Sequence, residues 1–380
     1  MWIRSSRPRG PGSRYERMAD GPSRKIAIIL PNLRGGGAER VALASATDLA
    51  DKGHAVDIVL LQEGGELLEL VPAAVRVISF RKHRFRHALP NLVKYLRTEK
   101  PDVVHAVMWP VTVIAVIAHR VARSRAKLVV SDQNALSQQI PEGSQRRLLR
   151  WTARMTYPRA DVRIQCSKLA AEDLADLSGI PLDTFDVIYN PISPPDDVSG
   201  TPAIERLWKG GHPRLITVGS FKAQKNHALL LRAFARVGDS KATLLMLGEG
   251  ELRGPLEALA AELGIADRVI MPGFAVDPWP YLASADIFVL SSDYEGFPLV
   301  LAEAMHAGLK IVSTDCISGP GEMLDGGRYG RLVPCGDEDA LARAIEAAFD
   351  EPPQPDRVRA RAAEMAGPAM IERYSELLLN

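Results

Sequence analysis

Residues 285–308 read ADIFVLSSDYEGFPLVLAEAMHAG. The apolar run at the start predicts a buried strand, and the Gly-Phe-Pro turn at 296–298 leads into a predicted helix. A strand followed directly by a helix is typical of a parallel α/β sheet. Glu295 follows the strand, and Glu303 lies eight positions later on the helix. Such sheets bind ligands at the carboxyl ends of their strands, where the free N–H groups of a helix suit a phosphate.

The same alternation of strand and helix continues on both sides of this stretch. In the second half, helices of about 10–15 residues separate the predicted strands, which indicates a parallel sheet. These strands are RLITVGS at 214–220, ATLLMLGEG at 242–250, RVIMPGF at 268–274, ADIFVL at 285–290 and KIVSTD at 310–315. The second half of the chain is therefore predicted to form one parallel sheet.

The first half repeats the pattern and predicts a second parallel sheet. KIAIIL at 25–30 is followed by the loop LRGGGAER, an Ala-rich helix and the strand AVDIVLL at 55–61. Further strands are predicted at 76–79, 103–107, 128–131, 162–166 and 186–189. The run VTVIAVIA at 111–118 fits either a buried helix or a buried strand.

Composition and charge narrow the class of protein. Three cysteines are few, odd in number and far apart, which argues against a disulfide framework and fits a reducing cytosol. No cluster of Cys and His with metal-ligand spacing is visible, and no apolar run reaches the ~18–20 residues needed to cross a bilayer. Residues 81–168 hold 18 Lys and Arg against 5 Asp and Glu. Basic residues between Leu, Trp and Phe fit an anionic membrane surface or a pyrophosphate-linked acceptor, with a solvated helical face as the alternative.

Two further segments support a family resemblance. VGSFKAQKNH at 218–227 follows a strand, and RGGGAER at 34–40 forms a glycine loop. Together with EGFPLVLAEAM at 295–305, these segments resemble glycosyltransferase family 4, from about Lys25 to the end of the chain. The resemblance implies a GT-B fold, in which two Rossmann-like parallel-sheet domains face each other across a cleft. It also implies a retaining, nucleotide-sugar-dependent transferase.

The length suits two domains, and SPPDDVSGTP at 193–202 indicates a linker between them. We predict a disordered basic segment at 1–24 and an N-terminal acceptor-binding domain at 25–195. A linker at 196–211 and a C-terminal nucleotide-sugar-binding domain at 212–366 follow. The resemblance implies that the last helix, at about 367–380, packs back on the N-terminal domain.

The resemblance also assigns roles in the C-terminal half. Lys225 matches the lysine that contacts the donor diphosphate, Glu303 the residue that binds the ribose hydroxyls, and Glu295 the residue near the reacting sugar. Ser220 stands where the family has an arginine, so Lys222 is a candidate substitute, although Arg and Lys are not equivalent at a phosphate. The remaining donor-binding positions are Gly248, Gly250, Gly273, Phe274, Gly296, Phe297, Pro298 and Leu299.

In the N-terminal half, the glycine loop Gly35, Gly36 and Gly37 resembles the one that faces the donor diphosphate. PDVVHAVMW at 101–109 ends a strand, where His105 is a candidate site residue and a buried structural His105 is the alternative. SDQN at 131–134 also ends a predicted strand and is a candidate acceptor contact. Glu322 is a candidate helix cap or hydroxyl ligand.

The expected activity is transfer of a hexose or N-acetylhexosamine from a nucleotide diphosphate sugar, with UDP as the expected nucleotide. The acceptor would be lipid-linked or a glycan of the bacterial cell envelope, and the enzyme would be cytoplasmic or peripheral on the inner membrane face. No cofactor, metal or nucleic-acid partner is expected. Paired glutamates also occur in glycosidases, but the glycine loops and Lys225 favour nucleotide-diphosphate binding. A nucleotide-sugar epimerase and a catalytically idle GT-B binding protein remain alternatives.

Overall fold

A computed structural model gives the structure of residues 22–34, 36–140, 142–192, 194–195 and 199–380. Most of the segment predicted to be disordered, residues 1–21, lies outside this range, as does Gly35. The described chain forms two α/β layers, each built on a parallel sheet. This confirms the predicted fold class.

The first sheet has seven strands in the order β3-β2-β1-β4-β5-β6-β7 within the described residues. They are β1 (Lys25–Leu30), β2 (Ala55–Leu60), β3 (Arg76–Ser79), β4 (Val103–Val107), β5 (Lys127–Asp132), β6 (Val162–Gln165) and β7 (Asp186–Val187). Helices α1 to α6 cover its faces. They are α1 (Gly37–Asp51), α2 (Leu89–Glu99), α3 (Val111–Ala122), α4 (Leu136–Gln139), α5 (Ser144–Thr156) and α6 (Lys168–Ser178).

The second sheet has six strands in the order β10-β9-β8-β11-β12-β13 within the described part of the chain. They are β8 (Arg214–Val218), β9 (Thr243–Leu247), β10 (Val269–Gly273), β11 (Ile287–Leu290), β12 (Lys310–Thr314) and β13 (Arg331–Val333). The remaining helices are α7 (Pro202–Leu207), α8 (His227–Arg236), α9 (Arg253–Glu262), α10 (Trp279–Ala283), α11 (Leu299–Ala307), α12 (Pro320–Met323), α13 (Glu338–Asp350), α14 (Pro355–Ala366) and α15 (Ala369–Leu379).

Helix α11 has a proline at its start and a glycine at its end. It begins after Pro298 and ends at Gly308, whose φ of +85° lies in the left-handed region that favours glycine. A Cβ at Gly308 would also lie 2.8 Å from the Pro355 Cβ at the start of α14. Helix α11 is therefore fixed between the sheet and α14, which explains why its sequence is apolar on most sides.

Several contacts join the two layers into one body. Asn134 forms an antiparallel bridge with Gly296, and the Tyr189 ring stacks on Phe297 with 5.5 Å between centroids. One apolar core cluster runs from β1 through the interface to β11 and α11. The final helix α15 lies against α1, where the Ser375 hydroxyl donates to Asp48 Oδ2 at 2.6 Å.

The segment predicted to be a linker is partly folded. Residues 202–207 form α7, whose Thr201 cap accepts a hydrogen bond from the Ile204 N–H at 3.4 Å. Trp208 is fully buried, and its indole N–H donates to Ser284 Oγ at 3.0 Å. A buried tryptophan with its N–H satisfied ties this segment to the second layer.

Candidate active site

The candidate site lies at the ends of β8 and β11, which are neighbours in the second sheet. The strand order reverses at this pair, because β9 and β10 extend to one side and β12 and β13 to the other. The loops after two such strands separate and leave a crevice, which is the usual ligand site of an open α/β sheet. Lys225 lies in the loop after β8, and Glu295 lies in the loop after β11.

Lys225 and Glu295 form a buried ion pair. The Lys225 Nζ lies 2.6 Å from Glu295 Oε1, and only 14% and 6% of the two side chains are exposed. The Ser292 hydroxyl donates to the same carboxylate oxygen at 2.6 Å, and Gln224 Nε2 donates to Oε2 at 3.4 Å. Charge-assisted hydrogen bonds of this kind hold a carboxylate in one position. Gln224 and Ser292 were not predicted, since the sequence gives no sign that they contact Glu295.

The two loops are also joined through their backbones. The Asp293 N–H donates to the Gln224 carbonyl at 2.9 Å, and the Ser291 hydroxyl donates to the Lys225 carbonyl at 2.9 Å. Asn226, at φ +44°, caps α8 by accepting from the Leu229 N–H at 3.2 Å. Lys225 is therefore presented by a fixed turn at the start of a helix.

Lys222 lies in the same loop, at the cleft between the two layers. Its side chain is exposed, yet desolvation by the surrounding protein lowers the pKa of the ammonium, with a smaller contribution from the charge of Lys225. Glu39 of α1 interacts electrostatically with Lys222, and burial raises the pKa of that carboxyl. Ser220 is exposed, and its carbonyl accepts from the Lys222 N–H at 2.9 Å.

Glu303 lies on α11 and is 7% exposed. Arg40 Nη1 of α1 lies 4.0 Å from Glu303 Oε1, and Arg40 also donates to the Val276 carbonyl at 3.2 Å. Burial raises the pKa of the Glu303 carboxyl, and the positive charge of Arg40 opposes this shift. Within the described residues no side chain or backbone group donates a hydrogen bond to Glu303, so its oxygens are available as acceptors.

Two helices begin at the cleft and face each other. Gly36 caps α1, Gly37 is its first residue, and a Cβ on Gly37 would lie 3.3 Å from the Leu299 Cδ1 at the start of α11. Both glycines are exposed. The free N–H groups and positive dipole ends of α1 and α11 favour an anion at this position.

The remaining predicted positions around the cleft have largely structural contacts. A Cβ at Gly248 would lie 2.0 Å from the Gly219 carbonyl oxygen, and one at Gly250 would lie 2.5 Å from the Phe221 carbonyl oxygen. Both glycines therefore let the turn after β9 pack on the loop that carries Lys222 and Lys225. The other predicted donor-binding positions are Gly273 at φ +101°, the exposed Phe274, the buried Phe297, and Pro298 at the cap of α11.

Gly296 brings the two layers into direct contact. A Cβ at this position would lie 1.9 Å from the Gln133 carbonyl oxygen. Ser318 Oγ donates to the Gly296 carbonyl at 2.8 Å and lies 3.1 Å from Ser167 Oγ of the first layer. Glu322 also bridges the layers, since it accepts from the Tyr189 hydroxyl at 2.5 Å.

Several buried polar side chains lie together at the ends of β4 and β5, beside the cleft. His105 Nε2 lies 2.9 Å from Ser131 Oγ, its ring is 5.5 Å from that of Tyr374, and burial lowers its pKa to about 3. His105 is therefore neutral and buried, as in the structural alternative. Asp132 accepts from the Trp109 N–H at 2.8 Å and the Tyr157 hydroxyl at 2.5 Å, and burial raises its pKa to about 6.

Comparisons with known proteins identify glycosyltransferases as the relatives of this chain. Residues 35–195 match the model of Glycosyltransferase Family 4, and residues 204–365 match that of Glycosyl transferases group 1. The chain is 28% identical over 342 residues to N-acetylgalactosamine-N,N'-diacetylbacillosaminyl-diphospho-undecaprenol 4-alpha-N-acetylgalactosaminyltransferase of Campylobacter jejuni, covering 86% of this chain and 90% of that protein. It is 29% identical to the lipopolysaccharide core biosynthesis glycosyltransferase LpsE of Rhizobium meliloti, with 90% and 92% covered.

The fold also matches solved structures. The crystal structure of HepE from Anabaena in complex with UDP and glucose superposes with a TM-score of 0.78 at 21% identity, covering 94% of this chain and 99% of that one. The superposition supports the arrangement of two facing parallel-sheet layers. The two family models together cover most of the chain, which is a glycosyltransferase of the family 4 type with the GT-B fold.

Proposed function

We propose that this protein is a retaining glycosyltransferase that moves a hexose or N-acetylhexosamine from a UDP-sugar to a lipid-linked or glycan acceptor. The observation that carries the proposal is the joint position of Lys225, Glu295 and Glu303 around the facing ends of α1 and α11. A cation and two helix N-termini suit a diphosphate, and a buried carboxylate with free acceptors suits a vicinal diol.

Each of these groups has a distinct role in the proposal. Lys225 and the helix N–H groups stabilise the charge that grows on the diphosphate as the bond to the anomeric carbon breaks. Glu303 accepts hydrogen bonds from the ribose hydroxyls, and Glu295 accepts from the donor sugar. Lys222 supplies a second positive charge near Lys225, in place of the arginine that Ser220 does not provide.

The reaction proceeds by front-face displacement in this proposal. The acceptor oxygen forms a bond to the anomeric carbon on the face from which the diphosphate leaves. The bond between that carbon and the diphosphate oxygen breaks, and a phosphate oxygen takes the acceptor proton. The configuration of the anomeric carbon is therefore kept, and neither a protein general base nor a metal or cofactor is required.

The relatives guide the choice of donor and acceptor. The Campylobacter jejuni relative is named for a diphospho-undecaprenol-linked acceptor, and the Anabaena structure contains UDP and glucose. A cytoplasmic protein that works at the inner face of a bacterial membrane fits a lipid-linked acceptor. Every helix in the described residues is too short or too polar to cross a bilayer.

The proposal is tested by incubating the purified protein with a panel of UDP-sugars and diphospho-undecaprenol-linked acceptors. We expect UDP release that depends on the acceptor, a product with the donor's anomeric configuration by NMR, and no loss of rate with EDTA. UDP release accompanied by an inverted product would contradict the retaining mechanism. Conversion of the UDP-sugar to an epimer without an acceptor, or UDP-sugar binding without any turnover, would favour the two alternative functions.

A further inference from the structure

The solvent side of α5 carries a second apolar stripe. Leu148, Trp151 and Met155 are 50%, 63% and 46% exposed, and their spacing of three and four residues places them on one face. Leu149 and Ala153 lie on the opposite face and are fully buried. The core therefore uses one side of this helix, while three large apolar side chains remain in contact with water on the other. A contiguous apolar surface of this kind indicates an interaction site.

The solvent-exposed flank beside this stripe is strongly basic. Arg147, Arg150 and Arg154 are exposed, and none of their guanidinium groups forms an ion pair or hydrogen bond with another described residue. Helix α5 contains no Asp or Glu. The pairing of unneutralised arginines with Leu, Trp and Met is typical of a helix that lies in the plane of an anionic membrane surface.

The neighbouring helix extends this surface. Helix α3 packs beside α5, also contains no acidic residue, and exposes Ile117 (39%) and Val121 (51%). Arg120 and Arg123 are exposed at its end. The apolar and basic character is therefore shared by two adjacent helices.

The position of α5 connects this surface to the cleft. Thr152 Oγ1 accepts from the Trp109 indole N–H at 3.3 Å, and Trp109 follows β4. The chain that leads from β5 to α5 includes Asn134, which pairs with Gly296. Helix α5 is thus joined, through Trp109 and through the segment that contains Asn134, to the ends of β4 and β5 beside the cleft.

We propose that the exposed face of α5, with the adjoining end of α3, docks on an anionic lipid bilayer. Leu148, Trp151 and Met155 enter the headgroup region, while Arg147, Arg150 and Arg154 contact lipid phosphates. This places the cleft at the membrane surface. The proposal does not depend on the identity of the donor or on the retaining mechanism.

Sedimentation with lipid vesicles tests this surface. The full chain is mixed with vesicles of phosphatidylcholine, alone or with phosphatidylglycerol, and the bound fraction is measured. We compare Arg150→Glu/Arg154→Glu with the matched control Arg343→Glu/Arg373→Glu, which makes the same charge change at exposed helical positions of α13 and α15. Leu148→Ser/Trp151→Ser removes the apolar part, and UDP binding by each variant checks the fold.

We expect binding that requires phosphatidylglycerol and falls at least about 30-fold in Arg150→Glu/Arg154→Glu, since each basic residue near an anionic surface contributes about fivefold and the introduced glutamates are repelled. The control should retain at least half of the wild-type affinity, and Leu148→Ser/Trp151→Ser should also bind more weakly. Equal binding to pure phosphatidylcholine, no vesicle binding at all, or equal loss in the control would overturn the proposal. Unchanged binding by Arg150→Glu/Arg154→Glu would also overturn it and place the contact elsewhere, such as the five arginines before residue 22.

Discussion

The Lys225 ammonium lies 2.6 Å from the Glu295 carboxylate, across two loops separated by 70 residues. This contact neutralises both buried charges. In the proposed complex, the Lys225 ammonium contacts both the diphosphate and Glu295. The remaining acceptor sites of the Glu295 carboxylate then accept hydrogen bonds from the donor sugar. The two joined loops thus hold a positive and a negative group at fixed positions in the cleft.

Replacing Lys225 should lower both the stability of the fold and the rate of sugar transfer. Lys225→Ala leaves the buried Glu295 without its counter-charge, so we expect a loss of about 3–5 kcal/mol in the free energy of unfolding. Transfer should fall at least about 100-fold. Adding Glu295→Gln should restore much of the stability in chemical denaturation but none of the activity. Wild-type stability in Lys225→Ala would show that the ion pair does not form.

Glu295→Gln by itself separates binding from chemistry. The amide keeps the shape of the side chain but releases Lys225 from its ion pair, so we expect UDP to bind as well as or better than to the wild type. The rate of sugar transfer should nevertheless fall at least about 100-fold, since the amide is a weaker acceptor for the donor sugar. Calorimetry and a UDP-release assay measure the two effects. Weaker UDP binding with an unchanged rate is the reverse pattern and would remove Glu295 from its proposed role.

The close contact at Gly296 leaves no room for a side chain at this position. Gly296→Ala would force a Cβ against the Gln133 backbone, so we expect about 2–4 kcal/mol lower stability and reduced transfer. Gly254→Ala is the matched control, because a Cβ there meets no atom within 4 Å at the start of α9. That control should be neutral or slightly stabilising. Similar melting temperatures for the two variants would argue against the close approach of the layers.

The stability of the first layer should depend on the protonation of Asp132. Its pKa is about 6 in the folded chain because of burial, and 3.8 is its ordinary value. The folded state therefore binds the proton more tightly than the unfolded state. The contribution of this protonation to the free energy of unfolding is complete below pH 3.8 and is lost as the pH rises through 6. Asp132→Asn lacks this titration, so its stability relative to the wild type should rise by about 2 kcal/mol between pH 4 and pH 7.5. Denaturant titrations at the two pH values measure the difference; parallel pH profiles would contradict the shift.

Much of the fold could be predicted because the period of the apolar residues sets the type of each element. Residues 285–308 form the predicted strand, turn and helix, and the strands at 76–79 and 103–107 have the predicted bounds. The run at 111–118 did not distinguish helix from strand, because a continuous apolar stretch fits both. It forms α3, since the neighbouring strands β4 and β5 pair with each other and leave no place for a strand between them.

The contacts within the site were harder to predict. Matching motifs identified Lys225 and Glu295, but their pairing depends on which strands become neighbours, and β8 and β11 are separated by two strands in the chain. Arg40 reaches Glu303 only because the two layers face each other. Phe297 lies in the site motif, yet its ring packs on Tyr189, since a large apolar side chain at the interface is buried wherever a partner surface is available.

The central claim, that Glu303 holds the ribose of a bound nucleotide, is tested most directly by calorimetric titration with UDP and 2′,3′-dideoxy-UDP. We predict that Glu303→Ala weakens UDP binding about 10-fold or more, while wild type and Glu303→Ala bind the dideoxy analogue with equal affinity. Lys225→Ala should weaken the binding of both nucleotides alike, since the proposal assigns Lys225 to the phosphates that both of them carry. Wild-type affinity of Glu303→Ala for UDP would contradict the claim.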